Sequence, residues 1–147
     1  MALTIRDALE RDEAAWRTLW AGYLAFYETD VPEEVTAFTW ARILDPGSRV
    51  SMRVAEEDGA LLGFAIHHYH DSTWDIAPEA YLEDLFVAET TRGKGVGRAL
   101  IDDLVTISKR NHWRGIYWHT RHDNARARKL YDSYVETDGH IRYRLET

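Results

Sequence analysis

The sequence predicts an α+β sandwich: a central mixed β-sheet flanked by about four helices. Three observations point to it. Short alternating or apolar runs at residues 50–55, 60–70 and 80–87 read as neighbouring strands. Two stretches with helical apolar spacing precede them. A run with three glycines then leads into a further amphipathic helix, after which short apolar and helical segments alternate. The implied order is β-α-α-β-β-β-α-β-α-β, in one domain spanning residues 1–147.

Leu3–Arg6 reads as a short opening strand. From Arg11 to Tyr27 the apolar residues Trp16, Leu19, Trp20, Tyr23, Leu24 and Tyr27 recur at helical spacing, with Asp7 or Glu10 as candidate caps. Pro32-Glu33-Glu34 has a proline early and acids near the positive end of the helix dipole, which suits a second helix running to about Ile43. Val50–Ala55 alternates as a strand does, Glu57-Asp58-Gly59 is a hairpin turn, and Ala60–His70 is the returning strand. Ala80–Val87 follows Pro78 as the next strand. Val96, Leu100, Leu104 and Ile107 then form one stripe of a helix. Ile116–His119, Asn124–Tyr134 and Ile141–Leu145 read as strand, helix and last strand.

Composition excludes several functions. The chain has 147 residues, 45% hydrophobic and 12% aromatic, enough for one folded core. It has no cysteine, so disulfides, thiolate metal sites and a cysteine nucleophile are out. No apolar run approaches a membrane span and no secretory signal is visible, so a cytoplasmic protein is expected. His67-His68-Tyr69-His70 places only His68 and His70 on one strand face, and no HExxH motif exists, so no metal is expected. The net charge of −7 argues against a nucleic-acid partner. Residues 1–91 hold 6 basic and 18 acidic side chains, while residues 92–147 hold 12 basic and 7 acidic. The basic part can meet phosphate and the acidic part a cation; two solvated faces of one domain would give the same split.

The segment from Glu83 to Arg98 carries the most information. A strand enters a turn with Gly93, Gly95 and Gly97, and a helix starts from it. Glycines let a backbone approach a ligand closely, and the free N–H groups of a helix start attract phosphate oxygens. Arg92, Lys94 and Arg98 add positive charge. The spacing fits neither the dinucleotide fingerprint nor the G-x-x-x-x-G-K-S/T loop. A tight turn without a ligand would also use these glycines.

Arg92-Gly93-Lys94-Gly95-Val96-Gly97 resembles the Arg/Gln-x-x-Gly-x-Gly/Ala pyrophosphate loop of the GNAT acyl-CoA N-acyltransferases. Tyr81–Val87 looks like the strand before that loop in polyamine-type members. Asn124-Ala125-Arg126-Ala127-Arg128-Lys129-Leu130-Tyr131 is similar to the family's later Asn-x-x-Ala-x-x-Leu-Tyr helix. The three segments occur in order, within about residues 81–147, and the subgroup resembled is that of histone/polyamine and spermidine/spermine acetyltransferases. One departure is that the family's Gly-Phe pair after the helix tyrosine has its counterpart in Gly139-His140, several residues late.

The resemblance implies the GNAT fold and transfer of acetyl from acetyl-CoA to a primary amine by direct attack in a ternary complex. The acceptor is expected to be a basic small molecule or basic peptide, and a homodimer is expected. A CoA-holding domain without catalysis, or an interaction protein, is the competing reading. The resemblance implies roles for individual residues. Tyr131 is the candidate acid toward the coenzyme thiolate, or else a core tyrosine. Glu83 is the candidate base or acceptor-binding group, or else a strand acid in solvent. Asn124 and Ala127 are expected beside the coenzyme, though Asn124 can equally be only an N-cap. The backbone of Leu85, Phe86 and Val87 is expected along the pantetheine arm, and Arg92, Gly93, Lys94, Gly95, Val96, Gly97 and Arg98 around the pyrophosphate. Tyr27, Glu28, Glu83 and His119 are the candidate acceptor contacts. Strict alternation along the strand would put Glu83 on one face with Tyr81 and Leu85, and Asp84 on the other.

Overall fold

The computed structural model describes residues 2–147. A five-stranded sheet runs in the order β1 (Thr4–Asp7), β2 (Val50–Glu57), β3 (Ala60–His70), β4 (Glu79–Val87) and β5 (Ile116–Tyr117). The first four strands pair antiparallel, and β5 pairs parallel to β4. The helices are α1 (Glu13–Phe26), α2 (Glu33–Leu44), α3 (Val96–Arg110) and α4 (Ala125–Asp132). No helix among the described residues is long and apolar enough to cross a membrane.

Each face of the sheet carries its own apolar cluster. Trp16, Leu19 and Trp40 from α1 and α2 pack on Met52, Val54, Phe64 and Ile66. The Trp16 ring stacks between Trp20 (5.3 Å) and Trp40 (5.2 Å), so the aromatic stripe of α1 is core over most of its length. On the other face Val96, Leu100, Ile101 and Leu104 of α3 pack on Ala55, Ala65 and Leu82. Ion pairs stitch the margin: Arg6 binds Asp12 (2.8 Å) and Glu56 (2.6 Å), and Arg53 binds Asp103 (2.8 Å) and Asp7 (2.7 Å).

The predicted elements form with two corrections. The start of α1 is organised by neither Asp7 nor Glu10. A turn of 3₁₀ helix (Glu10–Asp12) precedes it, and the Asp12 carboxylate accepts from the Leu9 N–H at 2.7 Å. The expected last strand over Ile141–Leu145 does not form: residues 135–147 hold no regular structure, and Ile141, Tyr143 and Leu145 are 76%, 91% and 87% exposed. A strand needs a neighbour for its backbone hydrogen bonds, and β5, the outermost strand on that side, is only two residues long.

Strand β4 departs from regular pairing on both of its edges. It pairs with β5 only at Ala80↔Ile116 and Tyr81↔Tyr117, so beyond Leu82 the two chains part and leave one edge of β4 open. Its register against β3 also shifts by one residue. Ala65↔Leu85 and Ile66↔Asp84 are followed by His67↔Leu82, which leaves Glu83 as the extra residue of a β-bulge.

Candidate active site

The bulge changes which side chains of β4 share a face. Leu82 and Leu85 both pack into the α3 cluster although they are three residues apart. Between them, Glu83 and Asp84 both turn toward the α1 side, where Phe86 joins the other cluster. Strict alternation along β4 is therefore corrected: Leu85 does not share a face with Glu83, and Asp84 does not oppose it.

Asp84 was not among the residues expected from sequence. It is half-buried, and the Tyr23 hydroxyl donates to its Oδ1 at 2.7 Å. Burial pushes its carboxyl up to about 6, with neighbouring Glu83 adding to the rise and the Tyr23 hydrogen bond opposing it. Burial and the Asp84 charge together push the Tyr23 phenol far above its usual value. Tyr27, one turn on, meets the Tyr23 ring edge to face at 5.0 Å. It also lines a cleft with Phe26, Arg121, Asp123 and Asn124. Glu28 follows in the left-handed backbone region (φ 52°) and is exposed.

Glu83 is exposed and contacts His68 Nε2 at 3.0 Å. Beside it the Tyr81 ring stacks on Tyr117 at 4.9 Å and meets His68 edge to face at 5.2 Å. His119 closes the group, with Nδ1 at 3.4 Å from the Tyr81 hydroxyl. His70 Nε2 lies 2.8 Å from the Tyr117 hydroxyl. The expected residues Glu83 and His119 thus share one wall with His68, Tyr81 and Tyr117, which were not among the candidate site residues. The signal lay in the alternation: His68 with His70, and Tyr81 with Tyr117, recur at strand spacing.

Across the cleft, Tyr131 packs edge to face on Trp118 at 5.5 Å. Burial pushes its phenol up to about 12, with the nearby Tyr27 contributing, so both tyrosines sit close together. Asn124 takes the N-cap reading: its Oδ1 accepts from Ala127 N–H at 3.2 Å, and its Nδ2 donates to Thr120 at 3.3 Å. It still lines the cleft beside Tyr27.

The glycine loop separates into two kinds of position. Gly93 and Gly95 have φ of 87° and 80°, values that favour glycine, with open space where a Cβ would stand. Gly97 is a packing glycine, since a Cβ there would meet Leu130 at 3.3 Å and Val87 at 3.7 Å. It lets α3 approach α4. The Val96 side chain is buried in the core. At this helix start the first N–H groups, those of Val96, Gly97 and Arg98, have no partner within the helix. Lys94 is exposed on the same turn. Arg92 donates to the Val87 carbonyl at 3.2 Å, with its guanidinium over the Phe86 ring. Arg98 is held by Ser133 at 2.9 Å and lies over Tyr134. Next to this anion-attracting turn, the open edge of Leu85–Val87 offers backbone groups to an extended ligand.

The site is thus a parted strand pair with a glycine turn at one end and two carboxylates at the other. The sequence model of the "Acetyltransferase (GNAT) family" matches residues 13–134. The chain belongs to the GNAT acetyltransferase family. Acetyltransferases of this family draw their acetyl group from acetyl-CoA. A curated GNAT relative, the D-amino-acid N-acetyltransferase HPA3 of Saccharomyces cerevisiae, is 35% identical over 144 residues, covering 97% of this chain and 89% of the relative. The aminoglycoside N(6')-acetyltransferase type 1 of Stenotrophomonas maltophilia is 28% identical, covering 98% and 94%. Among solved GNAT structures, AAC(6')-Iy in complex with a bisubstrate analog superposes with a TM-score of 0.84 at 24% identity, covering all of both chains. That match shows the shared fold. The chain is thus an N-acetyltransferase of the GNAT family with the mixed-sheet α+β fold.

Proposed function

We propose that this GNAT enzyme transfers acetyl from acetyl-CoA to a small primary amine carrying positive charge, by direct attack in a ternary complex. The observation that carries the reading is the pair Glu83 and Asp84, turned to one face beside a wall of His68, Tyr81, Tyr117 and His119. An alkyl amine titrates near 10.4 and arrives as an ammonium. Exposed Glu83 is suited to attract it, with the tyrosine faces adding cation–π contact. The coenzyme reading assigns the pyrophosphate to the turn around Gly93–Arg98, where unpaired N–H groups and Lys94 favour anions. The pantetheine arm falls along Leu85–Val87. The neutral amine attacks the thioester carbonyl, the C–S bond breaks, and the Tyr131 hydroxyl faces the departing sulfur. A phenol near 12 lies well above a thiol near 8.5. Tyr131 therefore acts as a hydrogen-bond donor to the thiolate rather than as an acid that surrenders its proton outright.

The homologous proteins act on D-amino acids and aminoglycosides by name, and both classes present an amine. For this chain, polyamines and lysine-like amines fit the carboxylate pair best. The exposed Ile141, Tyr143 and Leu145, alternating with Arg142 and Arg144, support the reading of a homodimer in which this strand-like segment finds a partner. The test is thiol release from acetyl-CoA across a panel of polyamines, L- and D-amino acids, aminoglycosides and basic peptides, with products identified by mass. Turnover confined to cationic amines supports the proposal. Thiol release with none of them, while acetyl-CoA still binds, supports instead a domain that holds the coenzyme without catalysis.

A further inference from the structure

The bulge in β4 does more than turn a second carboxylate toward the cleft. It places the two carboxylates in unlike surroundings. Glu83 stands in solvent against His68, whereas Asp84 lies beneath α1, its Oδ1 fixed by the Tyr23 hydroxyl. Tyr23 is itself held rigidly: its ring stacks on Trp20 at 5.4 Å and meets Phe64 and Phe86 edge to face, both at 5.9 Å. A carboxylate set in such a frame cannot swing toward solvent as Glu83 can. A half-buried carboxylate with a single protein donor still has lone pairs free to accept.

We propose that Asp84 is the proton acceptor for the incoming ammonium, with Tyr23 as its positioning residue and Glu83 as the group that captures the cation. This rests on the acetyltransferase reading above. An ammonium bound at Glu83 passes one N–H proton to an Asp84 carboxylate oxygen, directly or across one water, and the freed nitrogen lone pair attacks the thioester carbon. The C–N bond forms, the C–S bond breaks, and the sulfur takes up the second nitrogen proton as the amide is completed. The Asp84 proton then returns to solvent. The overall products are amide, thiol and one released proton, so no further reactant is needed.

Proton acceptance by an aliphatic carboxylate works best when its affinity is raised toward the working pH. Burial and Glu83 raise the Asp84 carboxyl, and Tyr23 restrains the rise. The groups facing it are Tyr23 and Tyr27 from α1 and Glu83 on its own strand. His68 on β3 bonds to Glu83, and Arg121 acts on Tyr27 from the segment between β5 and α4.

Tyr23 and Glu83 thus act on Asp84 with opposite signs, and the experiment exploits that. Thiol release is followed as kcat/KM against pH with saturating acetyl-CoA, for wild type, Asp84→Asn, Tyr23→Phe and Glu83→Gln. Asp84→Asn should lose about 10²-fold or more in kcat and lose the acid limb, while keeping the acetyl-CoA thermal shift. Tyr23→Phe removes a hydrogen bond that favours the carboxylate, so its acid limb should move to higher pH. Glu83→Gln removes a like charge, so its limb should move to lower pH, with the larger effect on acceptor KM. An Asp84→Asn enzyme within about threefold of wild type and with an unchanged acid limb overturns the inference. If that variant does not fold, acid limbs unmoved in both other variants overturn it equally. A wild type without thiol release on any amine overturns the acetyltransferase reading itself, which an active wild type with unmoved limbs leaves standing.

Discussion

Replacing Tyr131 by Phe removes one oxygen from a site where that oxygen makes no intramolecular bond. Only burial and the neighbouring Tyr27 perturb the phenol, and its ring is fixed by packing on Trp118 at 5.5 Å. The ring contact survives the substitution. The loss in stability should therefore stay within about 0.5 kcal/mol, the usual scale where no hydrogen bond or packing volume is lost. The catalytic effect is of a different size. A donor aimed at charge that develops only in the transition state is worth roughly 3–4 kcal/mol in a site sheltered from water, or about 10²–10³ in kcat. The contrast makes the experiment decisive. Urea unfolding and the acetyl-CoA thermal shift should match wild type, while kcat from thiol release falls by about 10²–10³ with little change in acceptor KM. Because the phenol titrates near 12, no loss of wild-type activity below about pH 10 should trace to its ionisation. A Phe variant turning over within about threefold of wild type would refute the donor role and leave Tyr131 as a packing residue.

Three further outcomes are expected. Acetyl-CoA at 100 times its Kd should stabilise the fold by about 2.7 kcal/mol. Gly95→Val, which forces a β-branched residue to a φ of 80°, should abolish that thermal shift even though nothing crowds a Cβ there. The proposed capture of a cation at Glu83 predicts that kcat/KM for a polyamine falls as salt rises, and that Glu83→Gln flattens this dependence; an equal salt slope in both enzymes would count against Glu83 as the capturing group. His67 is buried with neither ring nitrogen hydrogen-bonded, and burial, aided by Arg53, lowers its imidazole to about 4. Between pH 6.5 and about 4 the unfolded chain takes up a proton that the folded chain refuses, so wild type should lose up to about 3 kcal/mol as pH falls through that window. His67→Leu should lessen this loss in urea unfolding at pH 7 and pH 5, and an identical pH slope would refute the assignment.

Most of the fold was legible because its signals were local. The spacing of Trp16, Leu19 and Tyr23 and the stripe from Val96 to Leu104 state their helices outright, and Glu57-Asp58-Gly59 states its hairpin. The glycine turn was legible too, since residues at positive φ and at close contacts advertise themselves by composition. The failures share one cause: they depend on a neighbour. Asp84 was missed because strand periodicity was carried through Glu83 without a break, whereas the bulge is set by how β3 pairs. The spacing of Leu82 and Leu85, two apolar residues three apart within a strand, was the available hint. The segment at Ile141–Leu145 has the alternation of a strand, but alternation supplies no partner.

The extra residue in β4 also makes the strand two separable modules. Toward the glycine turn, Leu85–Val87 keep one phase of in and out; toward β5, Tyr81 and Leu82 keep the opposite phase. Unbroken alternation with Glu83 kept in the pairing would instead drive Tyr81 into the α3 core and present Ala80 and Leu82 to the cleft, exchanging a polar wall for an aliphatic one. With the bulge in place, the wall around Tyr81 can change its side chains while the half beside the glycine turn stays in register. The proposed acceptor wall can in this way be refitted without disturbing the strand half to which the coenzyme is assigned.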